Sequence, residues 1–427
     1  MKLGFDDIKT YVRARRPKCK IRRFFMYRFE NSTVSDMYLL RDGSYEYSYS
    51  NVSSEELGKY KLWLQDRLYV EYDRAEWDGN SFSTFVCAQE QINLAYYPLV
   101  EGGTLKVITS KRGFLPSTVT PQYKRITDAT VTQIGRAGAS RVAAGESIVV
   151  QLEDGSFVII DGGPHNDSDC AELLSFLRHN KPVFHEKPKV VWLITHSHSD
   201  HVELVIDFLR CNSENIDLEL FCWNNPIISA DKQSQCYDGG AARYEGHIAD
   251  IEAILKEQYP NTSVFNCHSG QTLHLAGCKI EVIHTHEDIF PAWVWNLNVA
   301  STIFKFTFYG TNGNNNTFLV LGDSETNNCN FMVDVYNDMI DCHIVQVSHH
   351  GLNGATKEIY EKIKPVIAFW TIDKDRFEND EKCLGTRISP TTGKQSYYHN
   401  AYLRQICPRH YHASETVRIN MTDLSKV

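Results

Sequence analysis

None of the 12 cysteines forms a C-x-x-C pair, which excludes a cysteine-based zinc ribbon. They are scattered through a long chain without the spacing of a small disulfide scaffold. The N-terminus has no apolar stretch of the signal-peptide kind, and no run of about 18 apolar residues could span a membrane. Cytosolic, reduced thiols and no membrane partner are the resulting expectations. No internal repeat or low-complexity tract is apparent. Positive charge is in deficit overall, with a net charge of −9, but it is unevenly spread. Lys2, Lys9, Arg13, Arg15, Arg16, Lys18, Lys20, Arg22, Arg23 and Arg28 face only Asp6, Asp7 and Glu30 within the first 30 residues. That arm could meet nucleic acid or another polyanion, but no aromatic stacking pattern accompanies it. A solvated basic face against an acidic body is the preferred reading.

What is present fits a globular protein with a substantial core: 42% of residues are hydrophobic. A chain of 427 residues can hold one large domain and an appendage. The division expected is 1–125, a mixed α/β region of unknown role, and 126–427, a catalytic domain. Pro116 to Pro121 is the best linker between them. In the first region Glu55 to Arg67 reads as a helix, and Ile92 to Tyr97 and Thr104 to Thr109 as strands. From about residue 126, Ala129 to Ile134, Ser147 to Leu152 and Phe157 to Ile160 are short β-branched runs. Asp154-Gly155 marks a tight turn between the last two. Helices at Leu173–His179, Val202–Arg210, Ala241–Gln258 and Lys357–Ile363 then alternate with strands at Ile280–His284, Thr302–Phe308, Thr317–Leu321, His343–Val347 and Pro365–Trp370. This order predicts helices outside one or two packed sheets.

The most informative segment is Thr195-His196-Ser197-His198-Ser199-Asp200-His201. It follows the apolar run Lys189 to Ile194, a buried strand that delivers the polar cluster to a sheet edge. On an extended segment His196 and His198 point to one side. Asp200 and His201 open the next helix and face the same space. Three imidazoles and a carboxylate so close together suit borderline divalent metals such as zinc, and their crowding favours two adjacent ions over one closed structural site.

These residues resemble the metallo-β-lactamase superfamily over roughly Ala129 to the C-terminus. The resemblance rests on Asp161-Gly162-Gly163 after a strand, the H-x-H-x-D-H signature at 196–201, Gly322-Asp323 closing Phe318 to Leu321, and Val347-Ser348-His349-His350-Gly351. It implies an α/β (α+β) class protein, an αββα sandwich carrying the N-terminal α+β appendage. It also implies two divalent ions, with zinc expected and manganese the alternative. Asp161 would steady the metal loops and Asp323 would bridge both metals. Where many members place a further first-site His, this chain has Asn298-Val299-Ala300-Ser301. That form is similar to the subgroup containing the hydrolase domain of DNA-uptake channel proteins and choline-phosphate esterases. His284 and His286 lie just upstream and could substitute, although strand-end roles suit them better.

The resemblance assigns His196, His198, Asp200, His201, Asp323 and His399 to metal, and Asp200, His349 and His350 to catalysis. His399 and the His349-His350 pair could exchange roles. The segment Asp373 to Ser396 looks like an insertion that could overhang the site. A metal-bound hydroxide attacking a small-molecule or nucleotide-type phosphoester is the expected chemistry. Hydrolysis of a lactone, thioester or β-lactam is the alternative. A non-catalytic metal-binding or partner-binding module is the rival from another class. The loop Phe290 to Trp295 could stack a base or a choline-like group, or pack against the N-terminal region.

Overall fold

The computed structural model describes Tyr27, Phe29 and residues 33–135, 147–228, 241–310, 313, 315–352, 354–384, 386–388, 395–397 and 400–427. The basic arm, apart from Tyr27 and Phe29, lies outside the described residues, as does His399.

Two seven-stranded sheets face each other at the centre. The first runs, edge to edge, Ser263–Asn266, Asp217–Trp223, Lys189–Leu193, Phe157–Ile160, Ile148–Gln151, Thr130–Gln133 and Val417–Asn420. The second runs Thr272–Leu275, Cys278–His284, Ile303–Phe308, Asn316–Val320, Ile344–Gln346, Ile367–Trp370 and Arg409–His412. The last two strands of the chain thus stitch one sheet to the other. Strands buried on both faces read as unbroken apolar runs, and the period of two then divides each run between layers. Phe157 and Ile159 join the helix-facing cluster, while Val158 and Ile160 join the cluster between the sheets. Val190 and Trp192 separate from Val191 and Leu193 in the same way. Each such fully buried side chain contributes roughly 1.5–3 kcal/mol relative to exposure.

Helices Asp167–Asn180, Ser199–Cys211 and Ala241–Gln258 cover the first sheet, and Thr326–Val335, Lys357–Ile363 and Asn400–Ile406 cover the second. The architecture is therefore the αββα sandwich expected. Helix ends extend beyond the apolar repeat because caps lie upstream of it: Asn166 caps Asp167–Asn180 by accepting from the Ser168 amide.

The N-terminal region contains a single six-stranded antiparallel sheet, Thr33–Leu39, Tyr45–Ser50, Thr104–Lys111, Glu90–Tyr97, Asn80–Val86 and Val70–Trp77 in spatial order. Helix Ser54–Gln65 packs on one face through Leu57, Tyr60 and Leu64. A capping box starts it, with Ser53 and Glu56 each holding the other's backbone amide. The other face is joined to the sandwich, since Trp77, Phe82, Ala95 and Tyr97 share a buried cluster with Ile283, Ile303 and Leu319. Residues 112–129 connect the two parts without regular structure. The aromatic loop 290–295 packs not on this N-terminal sheet but into the helix-facing layer, where Phe290 and Val294 are buried and Val294 bridges Ile228. Its apolar residues follow the nearest unfilled core, which the sequence does not reveal.

Candidate metal centre

The site sits at the C-terminal ends of the central parallel strands, the edge where open α/β sheets hold ligands. Phe157–Ile160 delivers Asp161, Lys189–Leu193 delivers the His196 loop, Asn316–Val320 delivers Asp323, and Ile344–Gln346 delivers His349 and His350. Asp200 and His201 occupy the first turn of Ser199–Cys211.

Two groups of ligand-type atoms form there, each with its members within 4.8 Å of one another: His196, His198 and Asp323, and Asp200, His201, Asp323 and His350. Asp323 belongs to both. Its Oδ1 lies 3.2 Å from His201 Nε2 and 3.4 Å from His350 Nε2. Its Oδ2 lies 3.9 Å from His196 Nε2 and 3.8 Å from His349 Nε2. Asp200 Oδ2 stands 3.3 Å from His350 Nε2. Despite these approaches, His201 Nε2, His350 Nε2 and Asp323 Oδ1 are buried without an aligned hydrogen bond. An ion between them would satisfy all three.

The outer contacts aim the rings. Asp161 accepts from the Thr195 amide at 2.8 Å and the Thr195 hydroxyl at 2.6 Å, and sits 2.7 Å from His201 Nδ1. His350 Nδ1 meets Thr371 Oγ1 at 2.7 Å. In both histidines this leaves Nε2 for the centre, the usual arrangement behind a metal-bound imidazole. The Ser301 hydroxyl accepts from the Asp323 amide at 2.9 Å.

The charge pattern has the same meaning. Burial opposes ionisation of Asp323, but His350, His201 and His349 outweigh it and hold the carboxyl well below its usual range. Burial likewise opposes charge on Asp200, and contact with His350 and His201 overcomes it. For His201, burial is outweighed by Asp323 and Asp161, which hold the imidazole well above its usual value. His350 is pushed up to about 9 against its burial, chiefly by Asp323 and Asp200. His196, by contrast, is held well below by burial and by His201. Ionised carboxylates and protonated rings around one point mark a place that favours a cation, and a divalent ion would displace those ring protons.

The backbone is bent to make this possible. Asp161, His349 and His350 all have positive φ, at 51°, 51° and 56°. Left-handed conformation in non-glycine residues costs on the order of 1–3 kcal/mol each and persists where the surroundings enforce it. Gly351, with φ +91°, allows the turn to close on Trp370, whose Cε3 would lie 2.3 Å from an added Cβ.

The structure thus brings together His196, His198, Asp200, His201, Asp323 and His350, with His349 beside them. His284 and His286 stand apart: His284 contacts Asp288 and Asn328, and His286 Nδ1 meets the Phe290 carbonyl. Asn298 lies at the margin, its amide nitrogen 3.2 Å from Glu325 Oε1 and 3.4 Å from His349 Nε2, while its buried Oδ1 has no hydrogen bond. The sequence reading missed Thr371 and Glu325, which carry no motif signal, and it named Ser301 only as part of the Asn298-to-Ser301 form, without its contact to Asp323. A cavity of about 1000 Å³ lined by Arg41, Trp223, Asn225, Lys256, Tyr259 and His268 adjoins the centre through Asn225, which accepts from Ser197 Oγ at 2.7 Å. None of the ligand-type atoms lines it.

No protein-family model matches the chain, and no curated protein matches it. Among solved structures it is similar to the metallo-β-lactamase MIM-1 from Novosphingobium pentaromativorans, at 12% identity over 61% of this chain and 80% of that one, with a TM-score of 0.27. It is also similar to a long-form RNase Z from yeast, at 10% identity over 57% of this chain, with a TM-score of 0.32; the chain spans 36% of the length of that protein.

Proposed function

We propose that this protein is a metal-dependent hydrolase of the metallo-β-lactamase type, with a two-cation centre bridged by Asp323. The observation that carries the reading is the shared position of Asp323 in both ligand groups, on a buried carboxylate with an unsatisfied oxygen. His196 and His198 would hold one cation, and Asp200, His201 and His350 the other. His350 joins the second set in this reading, because its Nε2 faces both Asp200 and Asp323, while His399 lies outside the described residues. Imidazole and carboxylate donors without thiolate fit zinc, with manganese the alternative. Bound there, such ions would supply a water acidified toward neutrality and positive charge for a developing oxyanion.

The protein groups divide the remaining work. Asp161 fixes the tautomer of His201, and Thr371 holds the orientation of the His350 ring, so neither ring must reorganise during turnover. Asp200 is the ligand-type residue open to solvent, with its side chain 32% exposed, and marks the side from which substrate and water arrive. His349, 21% exposed and beside Asp323, is placed to exchange a proton or hydrogen bond with the leaving group.

A phosphoester or phosphodiester is the favoured substrate, on the strength of the Asn298-to-Ser301 segment and its likeness to the subgroup of DNA-uptake and choline-phosphate hydrolases. Metal analysis of purified protein, followed by turnover of bis(p-nitrophenyl) phosphate alongside a lactone and a chromogenic β-lactam, tests the reading. Metal-dependent release of nitrophenol is expected, and it should cease on chelation. Undiminished turnover by metal-free protein would overturn the mechanism. Tight metal binding with no turnover of any class would favour a binding module instead.

A further inference from the structure

We infer that the N-terminal sheet is a positioning element of the metal centre, with Tyr97 acting through Asp288, His284 and Asn328 on the loop that carries Asn298. This rests on the two-cation reading for its functional meaning, but its geometry is independent of it.

The chain of contacts starts at the end of strand Glu90–Tyr97. The Tyr97 hydroxyl donates to Asp288 Oδ1 at 2.7 Å. Lys106, on the neighbouring strand, donates to the Glu287 carbonyl at 3.2 Å and to Glu46 Oε1 at 2.9 Å. Two side chains of the N-terminal sheet therefore grip the turn His286–Asp288, at the root of the loop that ends at Ala300. The second Asp288 oxygen accepts from Ser269 Oγ at 2.6 Å and lies 2.8 Å from His284 Nδ1.

From His284 the path reaches the active edge. Asn328 Oδ1 accepts from the Glu325 amide at 3.2 Å, and its Nδ2 donates to the Val299 carbonyl at 2.9 Å. That fixes the amide orientation, so the contact of the same Nδ2 with His284 Nε2 at 3.0 Å makes Nε2 the acceptor. The other ring nitrogen, Nδ1, faces Asp288 as a close charge contact rather than an aligned hydrogen bond. Beyond Asn328, Glu325 accepts from both Asn296 and Asn298 at 2.7 and 3.2 Å, and Asn298 reaches His349.

Tyr97, Asp288, His284, Asn328 and Asn298 are all buried. Polar contacts in such surroundings are strongly coupled, and withdrawing one donor disturbs the rest. Five hydrogen-bonding side chains would be costly to bury merely to join two sheets that already share an apolar cluster.

The test compares Tyr97→Phe with Tyr60→Phe in the full chain. Both retain a buried ring, and Tyr60 belongs to the cluster on the far face of the N-terminal sheet. Amide exchange in residues 297–300 is measured on metal-free protein, and zinc affinity is titrated separately. Tyr97→Phe should speed exchange there about tenfold and weaken zinc binding at the His196 and His198 group by roughly ten- to a hundredfold, the usual consequence of disturbing outer contacts of a metal site. Tyr60→Phe should do neither at a comparable loss of thermal stability. Equal behaviour of the two variants in the exchange measurement overturns the inference. If the unaltered protein binds no zinc, the hydrolase reading fails while the exchange comparison still decides this one. Should Tyr97→Phe not fold, the paired change Lys106→Met/Glu46→Gln removes the other grip with its counter-charge, and the same comparison applies.

Discussion

Asp161 Oδ2 lies 2.7 Å from His201 Nδ1, and this contact decides which nitrogen of His201 faces Asp323. Asp161 is not among the ligand-type atoms of either group. Its place is behind the ring, and the left-handed turn at its own backbone puts it there. Asp161→Asn should therefore leave the ligands in place but unsettle the His201 tautomer. Zinc affinity should fall by roughly ten- to a hundredfold in titrations of metal-stripped protein. An unchanged affinity would show that Thr195 and the helix turn alone orient His201.

Asp323→Ala should remove both ions together, since its two oxygens face different groups of histidines. Metal content after dialysis is the measurement. One ion retained at full occupancy would mean the carboxylate serves a single site.

The group around His196 has fewer strong donors than the group around His350, so its ion should dissociate first. An amide oxygen or water is a poorer zinc donor than imidazole. Asn298→His should narrow the gap between two unequal affinities in calorimetric titration. The Asn298 amide, held by Glu325 at 3.2 Å, would be exchanged for a ring that must turn inward. Two equal, tight sites in the unaltered protein would mean that another residue supplies the missing donor.

His350 is raised from 6.5 to about 9 by Asp323 and Asp200, and His201 is raised in the same direction. A raised folded value means stability fully present below about pH 6.5 and lost as pH climbs through 9. Asp200 and Asp323 are lowered, so their contribution changes only in acid and does not enter this window. Chelated protein should thus lose thermal stability between pH 6.5 and 9, the interval set by His350. Zinc-loaded protein should not, because metal binding gains from deprotonated rings. Melting temperatures across this range, with and without zinc, give the comparison; a flat profile for chelated protein would contradict the charge arrangement described.

Much of the centre was legible locally. His196, His198, Asp200 and His201 lie within one strand-loop-helix junction, so spacing alone places them near one another. Asp323 was legible as a carboxylate closing an apolar strand. The choice between His349 and His350 was not, because two consecutive left-handed residues reverse the direction that an ordinary turn would give the side chains. Thr371 was invisible, since a hydroxyl after a strand has no pattern until the strand beside it is known, and the part Ser301 plays at the Asp323 amide was equally so. The N-terminal strands at Thr33–Leu39 and Val70–Trp77 were missed because the sheet edges they form are partly exposed and polar, with little apolar alternation.

By itself, the sequence determined the layered architecture and the position of the His196–His201 loop along the chain. Strand burial is encoded in apolar runs and loop chemistry in adjacent residues, and both are local properties. Only the tertiary structure decided that Asp323 stands between two groups of histidines, that His350 enters one of them, and that Tyr97 reaches the loop of Asn298 through Asp288. Those relations join residues far apart in the chain, across sheets whose register and packing arise from the collective burial of the core rather than from any one segment.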